Sequence, residues 1–303
     1  MNFRQLTSAL APLYGRGEAQ AIARMLFEER YGLTLGDLLL GRDAQLSIDE
    51  RSELENIASR LLKGEPVQHV IGHAAFCGHR FRVTPDVLIP RPETEDIVAC
   101  CVAHCRELAA DGEPRNPLRL LDLGTGSGCI AVSLALALPE ARVTAVDVSD
   151  AALCVARENA ARLQAGNVEF LRHDMLLVQP LVRLLTARDS SGNGDGSHSG
   201  GAFDIIASNP PYIRLSEAAD MHANVLDYEP HVALFVPDAD PLLFHRAIAG
   251  VAAQCLAPSG MAMVEINNSL AAESVAIFRD EGFAAHVRRD IFGKPRFVVA
   301  TWA

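Results

Sequence analysis

The sequence predicts an α/β protein: a mostly parallel sheet with helices on both faces, preceded by a small N-terminal helical bundle. Three observations predict it. Beyond residue 116, short apolar strands alternate with helical runs, the pattern of a sheet whose crossovers cover both faces. The first of those strands runs into a glycine-rich turn that opens a helix. The N-terminal part, by contrast, shows helical spacing. The expected organisation is a helical domain over 1–65, a β-hairpin connector over 66–92 and an α/β domain over 93–303.

In the helical part, apolar residues recur in Leu6, Leu10 and Leu13, then in Ala19, Ile22, Ala23, Leu26 and Phe27, and again in Leu54, Ile57, Ala58, Leu61 and Leu62. Ser47 followed by Glu50 reads as a capping box. From Pro66 the pattern changes. Val67, Val70 and Ile71, then Phe81 and Val83, then Val87 to Ile89 read as short β-like runs divided by Gly72, Gly78 and Pro85. Pro92 suits the first turn of a helix, with Glu93, Glu95 and Asp96 near its positive end.

In the α/β part, strands are expected over 118–122, 142–148, 168–173, 203–208, 261–266, 284–288 and 296–301, and helices over 130–138, 151–163, 241–256 and 270–281. The run SSGNGDGSHSGG at 190–201 is too rich in Gly and Ser to order itself by burial and reads as a flexible insertion at about 188–201.

With 303 residues and 49% hydrophobic composition, the chain has ample apolar surface for a packed core. Its start lacks a signal-peptide layout and no apolar run approaches the ~20 residues of a membrane span, so the cytoplasm is the expected location. Seven irregularly spaced cysteines do not form a disulfide framework. The formal charge of -11 argues against a protein whose affinity comes from neutralising phosphates.

The chemistry concentrates in two places. Leu123-Gly124-Thr125-Gly126-Ser127-Gly128 lies between a strand and a helix. Glycines at alternate positions leave no side chains between backbone and ligand, and the helix start offers free amide hydrogens. The next strand ends on Asp147, 23 residues after Gly124, where a carboxylate can accept bonds from both hydroxyls of a ribose. These two features fit a nicotinamide fold nearly as well as a methyltransferase one, although G-x-G-x-G with Asp122 before it favours the latter. Asn209-Pro210-Pro211-Tyr212, directly after the apolar strand Phe203 to Ser208, decides between them. The Asn209 oxygen and the Pro210 carbonyl can each accept a hydrogen from one planar NH2 group, two prolines fix their directions, and Tyr212 can cover the flat face.

At this point the sequence resembles the HemK/PrmC-type class I methyltransferases, which methylate the N5 amide of the glutamine in the GGQ tripeptide of peptide chain release factors. The resemblance rests on EPVQHVIGHAAFCGHRF, VLIPRPETE at 87–95, LLDLGTGSGCIAVSLA, VTAVDVS, DIIASNPPYI and YEPHVALF at 228–235. It implies a Rossmann-like class I fold, S-adenosyl-L-methionine as cofactor, a release factor as protein partner and an N-terminal domain that recognises substrate. Gly124, Thr125, Gly126, Ser127 and Gly128 would cradle the cofactor, Asp147 would bind its ribose, and Asp174 with Met175 would flank the adenine. Asn209, Pro210, Pro211 and Tyr212 would hold the glutamine amide, with Asn209, Pro210 and Tyr212 catalytic and Asn209 also touching the cofactor. Two departures stand out: the family's Gly and Gln after the Met261 to Glu265 strand are here Asn267 and Leu270, and Met175 replaces a residue that is often aromatic.

Cys100, Cys101, His104 and Cys105 superficially suggest zinc. Cys100 and Cys101 point roughly 100° apart on a helix, so buried thiols and a surface histidine are expected, and no metal. Glu229 fits a structural anchor or a substrate contact equally well. Besides release-factor methylation, glutamine methylation of a ribosomal protein and amino methylation of a nucleic-acid base stay open; the acidic charge counts against the last.

Overall fold

The computed structural model describes residues 1–110, 117–189 and 203–303. The Gly/Ser-rich run from 190 onward lies outside the described residues. The chain divides into two compact units: residues 1–73 with 83–85 and 221–229, and the remainder.

In the first unit, α1 (Phe3–Tyr31) starts on a reciprocal Asn2–Gln5 capping box and kinks at Gly15, which has φ 75 and ψ 164. The kink changes the phase of the buried stripe, which runs through Leu6 and Leu10 and resumes at Ala19, Ala23 and Leu26. Leu13, between Pro12 and the kink, is therefore 54% exposed rather than inward. After α2 (Leu35–Leu39), α3 (Ile48–Leu61) opens on the expected Ser47–Glu50 box and adds Leu54, Ile57 and Leu61 to the same core. Leu62 lies past the helix end and is 41% exposed.

Residues Val67, Val70 and Ile71 overturn the β-like reading: they form α4 (Val67–Ile71), bracketed by Pro66 before it and by Gly72 in the left-handed region after it. Val67, Val70 and Ile71 pack on the helical core, and this tertiary burial outweighs a weak β-propensity. Val87 to Ile89 also form no strand, although Val87 and Ile89 are buried. Two strands do follow α4: β1 (His73–Phe76) and β2 (His79–Arg82), joined through Cys77 and Gly78 at positive φ.

The second unit contains, in order, α5 (Glu95–Ala110), β3 (Arg119–Leu123), α6 (Cys129–Ala137), β4 (Arg142–Asp147), α7 (Asp150–Leu163), β5 (Val168–Arg172), α8 (Val178–Asp189) and β6 (Phe203–Ser208). It continues with β7 (Ile213–Arg214), then, past the short α9 (Ala223–Tyr228) of the first unit, α10 (His231–Leu234), β8 (Phe235–Val236), α11 (Leu243–Cys255), β9 (Leu256–Glu265), α12 (Ala271–Asp280), β10 (Phe283–Arg289) and β11 (Pro295–Trp302). The main sheet has the order β10-β11-β9-β6-β3-β4-β5, with only β11 antiparallel to its neighbours.

Alternate residues along the central strands feed separate cores. Leu121, Ile206, Ala262 and Val264 pack with α8, α11 and α12, whereas Leu120, Ile205, Met261 and Met263 pack with α5 and α6. Both faces are covered, so β6 is buried along its whole length. This is the three-layer α/β architecture that the alternation predicts.

Candidate active site

The chain leaves β3 toward β4 and β5, then returns to place β6 on the other side of β3. That reversal opens a crevice at the carboxyl ends of β3 and β6, where open α/β sheets take their ligands. The register pairs Leu123 with Ser208, so Gly124 and Asn209 emerge from adjacent strands at one level. The Ser208 hydroxyl donates to the Leu123 carbonyl at 2.6 Å and ties the two strand ends together.

The glycine loop is held by backbone. The amides of Gly124 and Thr125 donate to the Val146 carbonyl at 2.8 and 3.0 Å, which anchors the loop to the end of β4. Gly124 has φ 76, and a Cβ there would come within 3.0 Å of Met175 Cε. Gly128 has φ 80 and caps α6, and a Cβ there would meet Ala156 Cβ at 3.0 Å. Any side chain at these positions would be strained in conformation and crowded by its neighbours.

Asp147 accepts one amide on each oxygen: Gly126 N at 2.8 Å and Ser149 N at 2.9 Å. Burial raises its pKa, and those amides, with that of Val148, oppose the rise. Each carboxylate oxygen keeps a lone pair, as a vicinal diol requires. Beneath the loop, Asp122 accepts from Thr125 Oγ1 at 2.7 Å and from Ala131 N at 3.2 Å, both on Oδ2, while Oδ1 is buried without a hydrogen-bond partner. Complete burial pushes this carboxyl up to about 7.

One cleft brings most of the expected residues together. Gly124, Thr125, Gly126, Ser127, Asp147, Asp174, Met175, Asn209 and Pro211 line it; Gly128, Pro210 and Tyr212 are not on its wall. Asp174 also turns the chain after β5 by accepting from Leu176 N at 2.9 Å. A glycine-rich loop, a carboxylate at the end of the next strand and an apolar wall that includes Met175, Val148 and Ile130 fit an adenosyl group.

Behind Thr94 and Asn209, which line the other side of the cleft, side chains form a hydrogen-bonded chain. Asn209 Nδ2 donates to Thr94 Oγ1 at 3.2 Å, Thr94 Oγ1 donates to Glu265 Oε2 at 2.8 Å, and the Tyr212 hydroxyl donates to Glu265 Oε1 at 2.9 Å. Glu265 is 2% exposed, and its burial raises its pKa. Burial, followed by the Glu265 charge, raises the Tyr212 pKa and keeps the phenol protonated. Neither Thr94 nor Glu265 stands out in the sequence as a site residue. Their only signals are a threonine inside VLIPRPETE and an acid at the carboxyl end of a buried strand.

Asn267 has its own work here. Its Nδ2 donates to the Tyr212 carbonyl at 3.2 Å and to Glu217 Oε2 at 3.0 Å, which braces the turn after Asn209. Away from the cleft, Cys101 and Cys105 are buried and raised in pKa by burial, and His104 Nε2 lies 2.9 Å from the Ser259 carbonyl. Glu229 is buried.

The strand order and the cleft at its switch point define a class I methyltransferase. A family model for a methyltransferase domain matches residues 115–232, and one for the PrmC N-terminal domain matches residues 3–72. Over 296 residues the chain is 40% identical to a release factor glutamine methyltransferase of Bacteroides thetaiotaomicron, covering 97% of each. A protein of the same name from Flavobacterium psychrophilum is 36% identical over 299 residues, covering 98% of this chain and 97% of that one. A solved protein-(glutamine-N5) methyltransferase from Alicyclobacillus acidocaldarius aligns at 28% identity with a TM-score of 0.41, covering 73% of this chain and 99% of the other. The chain belongs to the release factor glutamine methyltransferase family. Among the described residues, no helix is long and apolar enough to cross a membrane.

Proposed function

We propose that this chain transfers the methyl group of S-adenosyl-L-methionine to the side-chain amide nitrogen of the glutamine in the GGQ motif of a peptide chain release factor. The observation that carries this reading is 40% identity, over 97% of both chains, to a release factor glutamine methyltransferase, combined with Asn209 beside the glycine loop in one cleft. When bound, the cofactor supplies an electrophilic methyl group on a sulfonium.

The chain's own task is orientation. An amide nitrogen is a weak nucleophile because its lone pair is delocalised into the carbonyl, so aiming it along the methyl–sulfur axis within a site that excludes water is most of what the protein contributes. Asn209 Oδ1 and the Pro210 carbonyl accept the two NH2 hydrogens, and Pro211 and Tyr212 complete the acceptor pocket. Gly124 to Gly128 form the floor under the cofactor, Asp147 takes its ribose hydroxyls, and Asp174 and Met175 flank its adenine.

The N-terminal helical domain over 1–65 recognises the release factor, and the reaction takes place in the cytoplasm without direct binding to nucleic acid; the charge of -11 supports the last point. The test is to incubate the protein with labelled S-adenosyl-L-methionine and, separately, release factor, ribosomal protein and DNA. Label is expected on the release factor, and on its wild-type form but not on one whose GGQ glutamine is glutamate. A carboxylate has no nitrogen to methylate and would face two acceptor oxygens. Label on the glutamate form, or on DNA alone, would overturn the proposal.

A further inference from the structure

We propose that Thr94 and Glu265 are positioning residues that set which way round the Asn209 amide stands, and hence whether it offers an acceptor or a donor to the glutamine. This rests on the release-factor glutamine reading above. Proton direction along a buried chain sets the orientation. Glu265, as a carboxylate, only accepts, and its two oxygens take the hydroxyl hydrogens of Thr94 at 2.8 Å and Tyr212 at 2.9 Å. A threonine hydroxyl has a single hydrogen. Once that hydrogen points at Glu265, Thr94 Oγ1 has only lone pairs left for Asn209, 3.2 Å away.

The atom of Asn209 that faces Thr94 must therefore be the NH2 group, and the oxygen is left for the substrate. Without this constraint a 180° turn about the last side-chain bond would place the NH2 group where the oxygen belongs. Two NH2 groups would then face each other, and the glutamine nitrogen would lose the partner that aims it. Asparagine is nearly symmetric in shape, so packing alone does not choose between the two orientations. The carboxylate does.

Three separate stretches supply the chain. Thr94 comes from the turn before α5, Asn209 and Tyr212 from the segment after β6, and Glu265 from the end of β9. Thr94 is 2% exposed and Glu265 2%, so water does not substitute freely for either partner. The Glu265 backbone carbonyl lies 3.1 Å from His245 Nε2, which pins the strand end from behind.

The experiment compares Thr94→Val with Thr94→Ser, assayed on release factor with S-adenosyl-L-methionine, with calorimetric affinity for the cofactor as the control for folding. Valine keeps the shape and removes the hydroxyl; serine keeps the hydroxyl. For Thr94→Val the turnover number is expected to fall by about 10-fold, one hydrogen bond's worth of transition-state alignment, with KM and cofactor affinity within about 2-fold. Thr94→Ser should recover most of that loss. Glu265→Leu, which removes the carboxylate that orders the chain, should fall at least as far as Thr94→Val. Wild-type turnover in Thr94→Val, or an equal loss in the valine and serine variants, would overturn the relay. A wild-type protein that never labels the release factor would instead overturn the function on which the relay rests.

Discussion

The two sides of the cleft are built on different principles. The side proposed for the cofactor is made of backbone: Gly124 and Thr125 are held by the Val146 carbonyl and Gly126 by Asp147, all within two consecutive strand–turn units. The side proposed for the acceptor rests on side chains drawn together from residues 94 and 209 on the wall and 212 and 265 behind it. A backbone cradle binds whatever fits its shape. A side-chain relay fixes the direction of hydrogen bonds, and direction is what a poor nucleophile needs. Damage on one side should therefore appear as lost affinity, and on the other as lost turnover.

The largest expected effect tests the acceptor side. Asn209→Ala should lower the turnover number by about 10²-fold or more, as for loss of a positioned active-site hydrogen bond, with little change in calorimetric affinity for S-adenosyl-L-methionine. If affinity fell as much as turnover, the division between the two sides would be wrong. Asp147→Ala should do the reverse. It removes hydrogen bonds to a charged acceptor worth about 1.5–3 kcal/mol each, so cofactor affinity should weaken by about 10-fold or more, while turnover at saturating cofactor changes less.

Asp122 gives the cofactor side a pH signature in stability. Its folded-state pKa of about 7 lies above the unfolded carboxylate value, so the folded protein holds a proton that the unfolded chain has released. Stability from this group is present at acidic pH and is lost as pH rises from about 4 through about 7. Asp122→Asn should remove on the order of 2 kcal/mol of that decline between about pH 5 and pH 7.5, read from denaturant midpoints at the two pH values. Identical slopes in both proteins would show that Asp122 is not buried as a neutral acid. The smallest effect is expected for Asn267→Gly, which restores the family's usual residue. Because it braces the Tyr212 carbonyl and touches neither ligand, acceptor KM should rise by no more than about 3-fold, one weak hydrogen bond's worth. A loss as large as that of Asn209→Ala would make Asn267 part of the acceptor clamp itself.

Much of the molecule is written locally. The alternating apolar runs fix the strands and helices of the α/β part to within a few residues, except α8, the short elements between β6 and α11, and the early start of β9 at Leu256. The capping box at Ser47–Glu50 marks a helix start that the structure reproduces. The glycine loop and Asp147 are legible because their chemistry is local: a tight turn needs glycine at set spacing, and the acid ends the very next strand. Where local preference and burial disagree, the sequence misleads. Val67 to Ile71 carries β-branched residues and yet is helical, because its place on the helical core outweighs propensity.

By itself, then, the sequence determined the α/β class and the places of the glycine loop and of the Asn-Pro-Pro-Tyr segment after a buried strand, since each depends on neighbours along the chain. Only the tertiary structure decided that Gly124 and Asn209 stand side by side, through the return of β6 to the free edge of β3. Only it brought Thr94, 115 residues before Asn209, and Glu265, 171 residues after Thr94, into one hydrogen-bonded line. The physical reason is that helix and strand periodicity report on contacts a few residues apart, whereas the direction of a buried hydrogen-bond chain depends on which distant segments the sheet order brings together.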